Sequence, residues 1–247
     1  GDRVAVEAPI PCGHCRACLE GRYQVCRGRG TMFAHGYIRL SHAPGLWGGY
    51  ADYMYLDPCS IVHKMRPDIP ANLAVMFNPL GAGFRWAVEI PETGPGDTVL
   101  ILGPGQRGLA CVIAARAAGA DTIIVTGLTR DAPKLALARE FGADHVIDVE
   151  QEDTARRVRE LTAGRGADVV IEVSSYATAP VAAALHYVAM GGRIVLAGIK
   201  GFQPVPDFVS DLIVVKEATI RGAFGVTARA YDAAIRLIES GRVPLAR

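Results

Sequence analysis

Cys12, Cys15, Cys18 and Cys26 fall within fifteen residues, in the run PCGHCRACLEGRYQVC with spacing C-x2-C-x2-C-x7-C. Gaps of two residues give poor geometry for paired disulfides, but they let a chain wrap one ion. Zinc, with Zn–S bonds of ~2.3 Å, takes four such ligands as a tetrahedron and then keeps no open position, so the expected ion is structural. An iron–sulfur cluster is the other metal reading of four cysteines, and free or disulfide-bonded thiols are the reading without a metal. His14 lies inside the run, but four sulfurs complete the tetrahedron and the ring is expected to face solvent.

A second pattern with chemistry is Gly103-Pro104-Gly105-Gln106-Arg107-Gly108. It follows an apolar, strand-like segment at 99–102 and precedes a helix-like one at 109–118. In that context G-x-G-x-x-G reads as a dinucleotide fingerprint: Gly103 for the tight turn, Gly105 for approach of a pyrophosphate, Gly108 for close packing of helix on strand. The helix start adds free N–H groups and the positive end of a dipole for the phosphates. A ligand-free glycine turn is the plain alternative. The next strand ends in Val125-Thr126-Gly127-Leu128-Thr129-Arg130-Asp131, without an acid at the strand end itself. An acid there would bind a free ribose 2′-hydroxyl and an arginine a 2′-phosphate. Thr129 and Arg130 therefore lean slightly to NADP, unless Asp131 turns inward.

These residues need elements to hold them. From residue 97 onward, short apolar segments at 99–102, 123–125, 145–147, 169–173, 194–197 and 219–223 alternate with helix-like ones. The helical stretches are 109–118, 133–141, 154–161, 179–188 and 228–240. That alternation predicts a parallel sheet covered on both faces. Before residue 91, glycine, aromatics and period-two runs such as residues 48–56 predict short strands in a compact, loop-rich unit. One helix is expected there, from Pro70 through Met76. The division falls near 91–97, giving domains at 1–92 and 93–247. The chain starts inside a strand without an initiator methionine, so further residues are expected upstream of Gly1, and beyond Arg247 as well.

With 247 residues, 50% hydrophobic and 21% charged, the chain is long enough for one large core or two modest ones. A net charge of +1 gives no call for nucleic acid or an anionic membrane, and no apolar run approaches the ~20 residues that span a bilayer. Clustered thiols read as metal-bound in a reducing compartment, and the expected location is cytoplasmic. Cys111, in an apolar helical pattern, is expected to be a small buried thiol.

The order of these motifs resembles the zinc-containing medium-chain dehydrogenase/reductase superfamily, the alcohol, polyol and threonine dehydrogenase group. The resemblance rests on Gly1-Asp2-Arg3-Val4, the cysteine lobe, Gly48-Gly49-Tyr50-Ala51-Asp52-Tyr53, Asn78-Pro79-Leu80, Pro95-Gly96-Asp97-Thr98-Val99, the glycine fingerprint and Gly142-Ala143-Asp144. It implies a doubly wound Rossmann domain beside a truncated, β-rich GroES-like substrate domain. It also implies hydride transfer between an alcohol or polyol and NAD(P). By the same resemblance Val173, Ser174, Gly198, Ile199 and Phe224 lie close to the coenzyme, with Gln106 and Arg107 on its turn. Trp47 and Tyr50 are pocket candidates, with core packing as the other reading. The family's catalytic zinc is held by a Cys and a His-Glu pair that precede the segment where this chain begins, and Asn78 matches a position that is Cys or Glu in many relatives. Family members pair coenzyme domains into dimers or tetramers. Two other classes stay open: a zinc-independent reductase of the same superfamily, and a zinc module that binds nucleic acid through Arg16, Arg22, Arg27 and Arg29. Of the other histidines, His35, His42 and His63 receive no catalytic role, and His145 and His186 are expected to be structural.

Overall fold

The computed structural model describes residues 1–30 and 33–246. Its strands are β1 (Arg3–Val6), β2 (Val62–Met65), β3 (Thr98–Leu102), β4 (Thr122–Gly127), β5 (His145–Asp148), β6 (Ala167–Glu172), β7 (Val188–Leu196) and β8 (Thr219–Gly222). Its α-helices are α1 (Arg16–Leu19), α2 (Ala71–Ala74), α3 (Phe77–Phe84), α4 (Gln106–Ala117), α5 (Ala132–Glu140), α6 (Thr154–Leu161), α7 (Ala179–Tyr187), α8 (Asp211–Lys216) and α9 (Ala228–Ser240).

Strands β3 to β8 form one parallel sheet in the order β5-β4-β3-β6-β7-β8. The chain starts that sheet in the middle, winds outward to β5, then returns to β6 and winds the other way. The order therefore reverses between β3 and β6, and crevices for ligands form at the carboxyl ends of strands at such a point. Every residue of β3 is buried, which explains its unbroken apolar run. Val99 and Ile101 pack with Val112, Ala115 and Leu135 of α4 and α5, while Leu100 and Leu102 pack with Val158, Ala184 and Leu185 of α6 and α7.

The N-terminal half differs from the expectation of several short strands. Among the described residues its only sheet is the antiparallel pair of β1 and β2, with Arg3 opposite Met65, plus one bridge between Pro9 and Ala34. Residues 48–56 form bends rather than a strand. Alternation describes a strand only where a neighbour supplies donors and acceptors, and the one backbone bond found in that run is from Tyr55 N–H to the Leu46 carbonyl. The helix after Pro70 also differs. It stops at Ala74, and a second one, α3, runs on into a π-helical turn at Arg85–Glu89. Helix α3 packs against α4 and α9, because Gly83 brings it to the Ala110 carbonyl, where a Cβ would come within 2.3 Å. Helix α8 lay outside the sequence reading, and Val188 opens β7 rather than closing α7.

Candidate coenzyme cleft and zinc lobe

The turn between β3 and α4 is built as its glycines require. Gly103 has φ +113°, outside the range of ordinary L-residues. A Cβ on Gly108 would lie 1.9 Å from the Gly103 carbonyl oxygen, so only glycine lets the helix sit on the strand end. Gly105 has open space where its Cβ would be, which leaves its backbone free to approach a ligand. In front of this turn lies a cleft of about 740 Å³, bordered by Gly103, Pro104, Gly105, Arg130, Lys134 and Ser174.

Around the end of β4 both signs of charge meet. Arg130 and Lys134 border the cleft together with Asp131, Glu152 and Asp153. Lys134 donates to Asp131 at 2.7 Å and holds that carboxyl below the usual carboxylate range. Thr129 stays outside the cleft lining, its N–H donated to Glu150 at 2.8 Å.

Beyond Gly105 the candidates separate. Gln106 is exposed on the helix start. Arg107 turns toward α3: Nη1 donates to the Asn78 carbonyl at 3.0 Å and Nη2 to Asn78 Oδ1 at 2.8 Å. Its guanidinium lies 5.7 Å from the Trp86 ring centre, and burial lowers its pKa. Asn78 Nδ2 donates to the Tyr231 hydroxyl at 3.0 Å. Both ends of the Asn78 amide are thus engaged, and the one atom that would serve a metal already accepts from a cation. Trp47, 2% exposed, belongs to an aromatic core with Phe33, His42 and Tyr55. Tyr50 projects fully into solvent. Neither borders the described cleft.

Strand β6 ends in Glu172, followed by Val173 and Ser174 at the cleft wall. Glu172 is completely buried, and Lys200 Nζ meets it at 2.8 Å. Gly198 lies against Ser174, since a Cβ there would come within 2.2 Å of the Ser174 carbonyl oxygen. Ile199 is 63% exposed, and Phe224 borders a separate small cavity beside Tyr23 and Gln24. Glu172 and Lys200 escaped the sequence reading. Their signal was an acid closing an otherwise apolar strand, and a lysine two residues after Gly198.

In the cysteine lobe the sulfur atoms lie within 4.8 Å of one another. Cys12–Cys18, Cys15–Cys18 and Cys15–Cys26 are separated by 3.9, 3.5 and 3.8 Å. A tetrahedron with bonds of ~2.3 Å has edges of ~3.8 Å, so the four atoms fit one zinc. All four are free thiols, which removes the disulfide alternative. Backbone N–H groups of Cys12, Cys15 and Gly28 point at sulfur at 3.4 Å, the outer hydrogen bonds that tune thiolate ligands. Gly28 allows this closeness, because a Cβ there would meet Cys12 Sγ at 2.4 Å. Backbone donors from His14 and Cys15 draw the Cys12 thiol down to about 6, whereas burial pushes Cys18 up to about 12. His14 is exposed, its Nδ1 against the Cys12 carbonyl at 2.8 Å.

A second missed group joins this lobe to the last helix. His63 has Nε2 at 2.8 Å from Glu7 and Nδ1 at 2.7 Å from Asp232, and the Tyr23 hydroxyl donates to the other Glu7 oxygen at 2.7 Å. Carboxylates only accept, so a ring placed between two of them is held best with a hydrogen on both nitrogens, as the imidazolium. The Glu7 contact raises its pKa.

Comparison with known proteins agrees with this arrangement. Residues 108–240 match the zinc-binding dehydrogenase family, and residues 1–67 match the alcohol dehydrogenase GroES-like domain. The chain belongs to the zinc-binding dehydrogenases. A probable alcohol dehydrogenase of Mycobacterium tuberculosis is 48% identical over all of this chain and 67% of its own length. Erythritol/L-threitol dehydrogenase of Mycolicibacterium smegmatis is 34% identical over 99% of this chain and 64% of its own length. The chain thus spans about two thirds of the length of the curated relatives it matches. Among solved structures, an alcohol dehydrogenase of Thermotoga maritima superposes with TM-score 0.87 at 28% identity, covering 98% of this chain and 66% of that one. A Sinorhizobium meliloti structure assigned to the zinc-binding dehydrogenases and bound to NADP gives TM-score 0.81 at 27% identity, covering 100% and 68%. Membership of this dehydrogenase family does not favour the nucleic-acid reading of the lobe. No helix among the described residues is long and apolar enough to cross a membrane.

Proposed function

We propose that this zinc-binding dehydrogenase carries the coenzyme site and structural zinc lobe of an oxidoreductase that moves a hydride between an alcohol or polyol carbon and NAD(P). The observation that carries the reading is the glycine turn at the point where strand order reverses, opening on a cleft of about 740 Å³. Nicotinamide dinucleotide, when bound there, supplies the hydride donor or acceptor.

The residues of this chain then divide the work of holding it. Gly105 and the first N–H groups of α4 face the diphosphate. Arg130 and Lys134, on the cleft wall where β4 ends, would meet a 2′-phosphate, which supports a slight lean to NADP. Val173 and Ser174 line the same cleft, with Gly198 against Ser174. Cys12, Cys15, Cys18 and Cys26 hold a zinc that is closed to substrate and fixes the lobe. A catalytic zinc would act as a Lewis acid on the substrate oxygen. Asn78 is not free to be one of its ligands, because its amide is committed to Arg107 and Tyr231.

The proposed domains are 1–92 and 93–247, joined where α3 packs on α4 and α9 and where His63 and Arg66 meet Asp232 and Glu239 of α9. Such a domain would pair into a homodimer or homotetramer through an edge strand of its sheet, β5 or β8. The partner class is a small alcohol or carbonyl compound, and the expected compartment is the cytoplasm. The test is titration of NADPH and NADH by fluorescence, with zinc content measured on the same sample. Saturable binding together with one zinc per chain is expected. Absence of dinucleotide binding in folded protein overturns the reading.

A further inference from the structure

Ser174 borders the coenzyme cleft, and its polar groups are held by the buried Glu172 and by Lys200. Glu172 Oε1 accepts the Ser174 backbone N–H at 2.9 Å and also the Ser174 hydroxyl. Lys200 Nζ donates to the same Oε1 at 2.8 Å and to the Ser174 carbonyl oxygen, and it stands 3.5 Å from Ser174 Oγ. The side chain of Glu172 is 0% exposed, so water does not compete for it, and that of Lys200 is only 10% exposed. Glu172 Oε2 has no partner among the described residues, which leaves the hydrogen bonding of this carboxylate concentrated on Ser174 and Lys200.

A carboxylate only accepts and a serine hydroxyl has a single hydrogen. That hydrogen is committed to Glu172, so Ser174 can present only a lone pair to the cleft. The turn is also close to the diphosphate seat, because a Cβ on Gly103 would lie 3.4 Å from Ser174 N. The groups adjoining a dinucleotide's diphosphate on either side are its two riboses, and their hydroxyls are donors. We infer that Ser174 Oγ accepts a hydrogen bond from a ribose hydroxyl of the bound dinucleotide, and that Glu172 and Lys200 are positioning residues that fix this polarity. The inference deepens the coenzyme reading above and rests on it.

The experiment is a cycle between side chain and ligand. Wild type and Ser174→Ala are titrated with NADPH and with forms lacking one ribose hydroxyl, in the adenosine half or in the nicotinamide half. Ser174→Ala should weaken the parent coenzyme roughly tenfold, as loss of one hydrogen bond does. It should leave unchanged the affinity for the one deoxy form that lacks the partnered hydroxyl, and that form identifies the ribose. Equal weakening for every ligand means a structural role and overturns the inference, as does no weakening at all. A wild-type protein that binds no dinucleotide fails the coenzyme reading itself. The positioning role is read with Glu172→Leu/Lys200→Met, which removes the acceptor of the Ser174 hydroxyl and both charges together and so strands neither. Its hydroxyl is free to turn, so the difference between parent and deoxy coenzyme should shrink toward that of Ser174→Ala. An undiminished difference overturns the roles of Glu172 and Lys200.

Discussion

The two halves of this chain satisfy their backbone in different ways, and the difference decides what each can do. After residue 97, six strands supply one another with donors and acceptors, and the ladder fixes where every strand ends. A glycine turn at one such end then packs closely, since a Cβ on Gly108 would lie 1.9 Å from the Gly103 carbonyl oxygen. Before residue 91, order comes from side chains: a cysteine cluster, an aromatic nest around Trp47 and a histidine between two carboxylates. One half is held by strand pairing, the other by side-chain staples.

If that is right, removing a staple should affect one half and leave the other. Cys15→Ser takes away a thiolate from the tetrahedron. Structural zinc contributes on the order of 10 kcal/mol to folding of small metal lobes, so this is the largest effect expected. Zinc content should fall from one per chain toward zero and the melting transition should broaden and shift down. NADPH affinity should change less than about threefold, a shift below ~0.7 kcal/mol. Zinc retained in the variant, or coenzyme binding lost with it, would break the division between the halves.

Two glycines three residues apart in one turn sharpen the same point from the other side. Gly108→Val places atoms inside the Gly103 carbonyl and should cost about 3 kcal/mol or more, the upper range of overpacking. Gly105→Val meets open space, so its melting temperature should stay within a few degrees while dinucleotide binding disappears. Calorimetry and fluorescence titration on the pair separate the two roles. An unchanged coenzyme affinity in Gly105→Val would reduce the fingerprint to a turn.

What could be read beforehand follows the same division. Parallel strands buried on both faces leave continuous apolar runs, so 99–102 and 169–173 were legible to within two residues of β3 and β6. The cysteine cluster was legible because its four ligands are local. Residues 48–56 misled because alternation records only which side chains face in, not whether a neighbouring strand exists. Glu7, His63 and Asp232 were illegible for another reason: 169 positions separate His63 from Asp232, and no local spacing encodes such a contact. Lys200 and Glu172, 28 positions apart, belong to the same class.

The His63 contact gives a third test, smaller and dependent on pH. Its pKa is raised by Glu7 first, and by Asp232, with Tyr23 and Tyr231 the other titratable side chains around it. A raised folded-state value means the stabilisation is fully present below the unfolded value of about 6.5 and is lost as pH rises through the folded value. Melting temperature should therefore decline across that window in wild type and less steeply in His63→Gln. An identical slope in both would remove His63 as the staple between lobe and last helix.

The smallest effect expected lies at the end of β4. Arg130 borders the cleft without a bridging carboxylate recorded among the described residues, whereas Lys134 already pairs with Asp131. A 2′-phosphate would thus find one cation free and one to be shared. Glu152 and Asp153 on the same wall oppose it, which is why the preference for NADP is expected to be slight. Exposed ion pairs contribute ~0.2–1 kcal/mol, so Arg130→Ala should weaken NADPH by no more than about fivefold and leave NADH nearly unchanged. The loss should also shrink at high salt, because a solvent-exposed charge pair is screened beyond roughly a Debye length. Titrations of both coenzymes at low and high ionic strength read all of this at once. An equal loss for NADH and NADPH would assign Arg130 to the diphosphate or to the fold, and the second half of the comparison would then rest on the glycine turn alone.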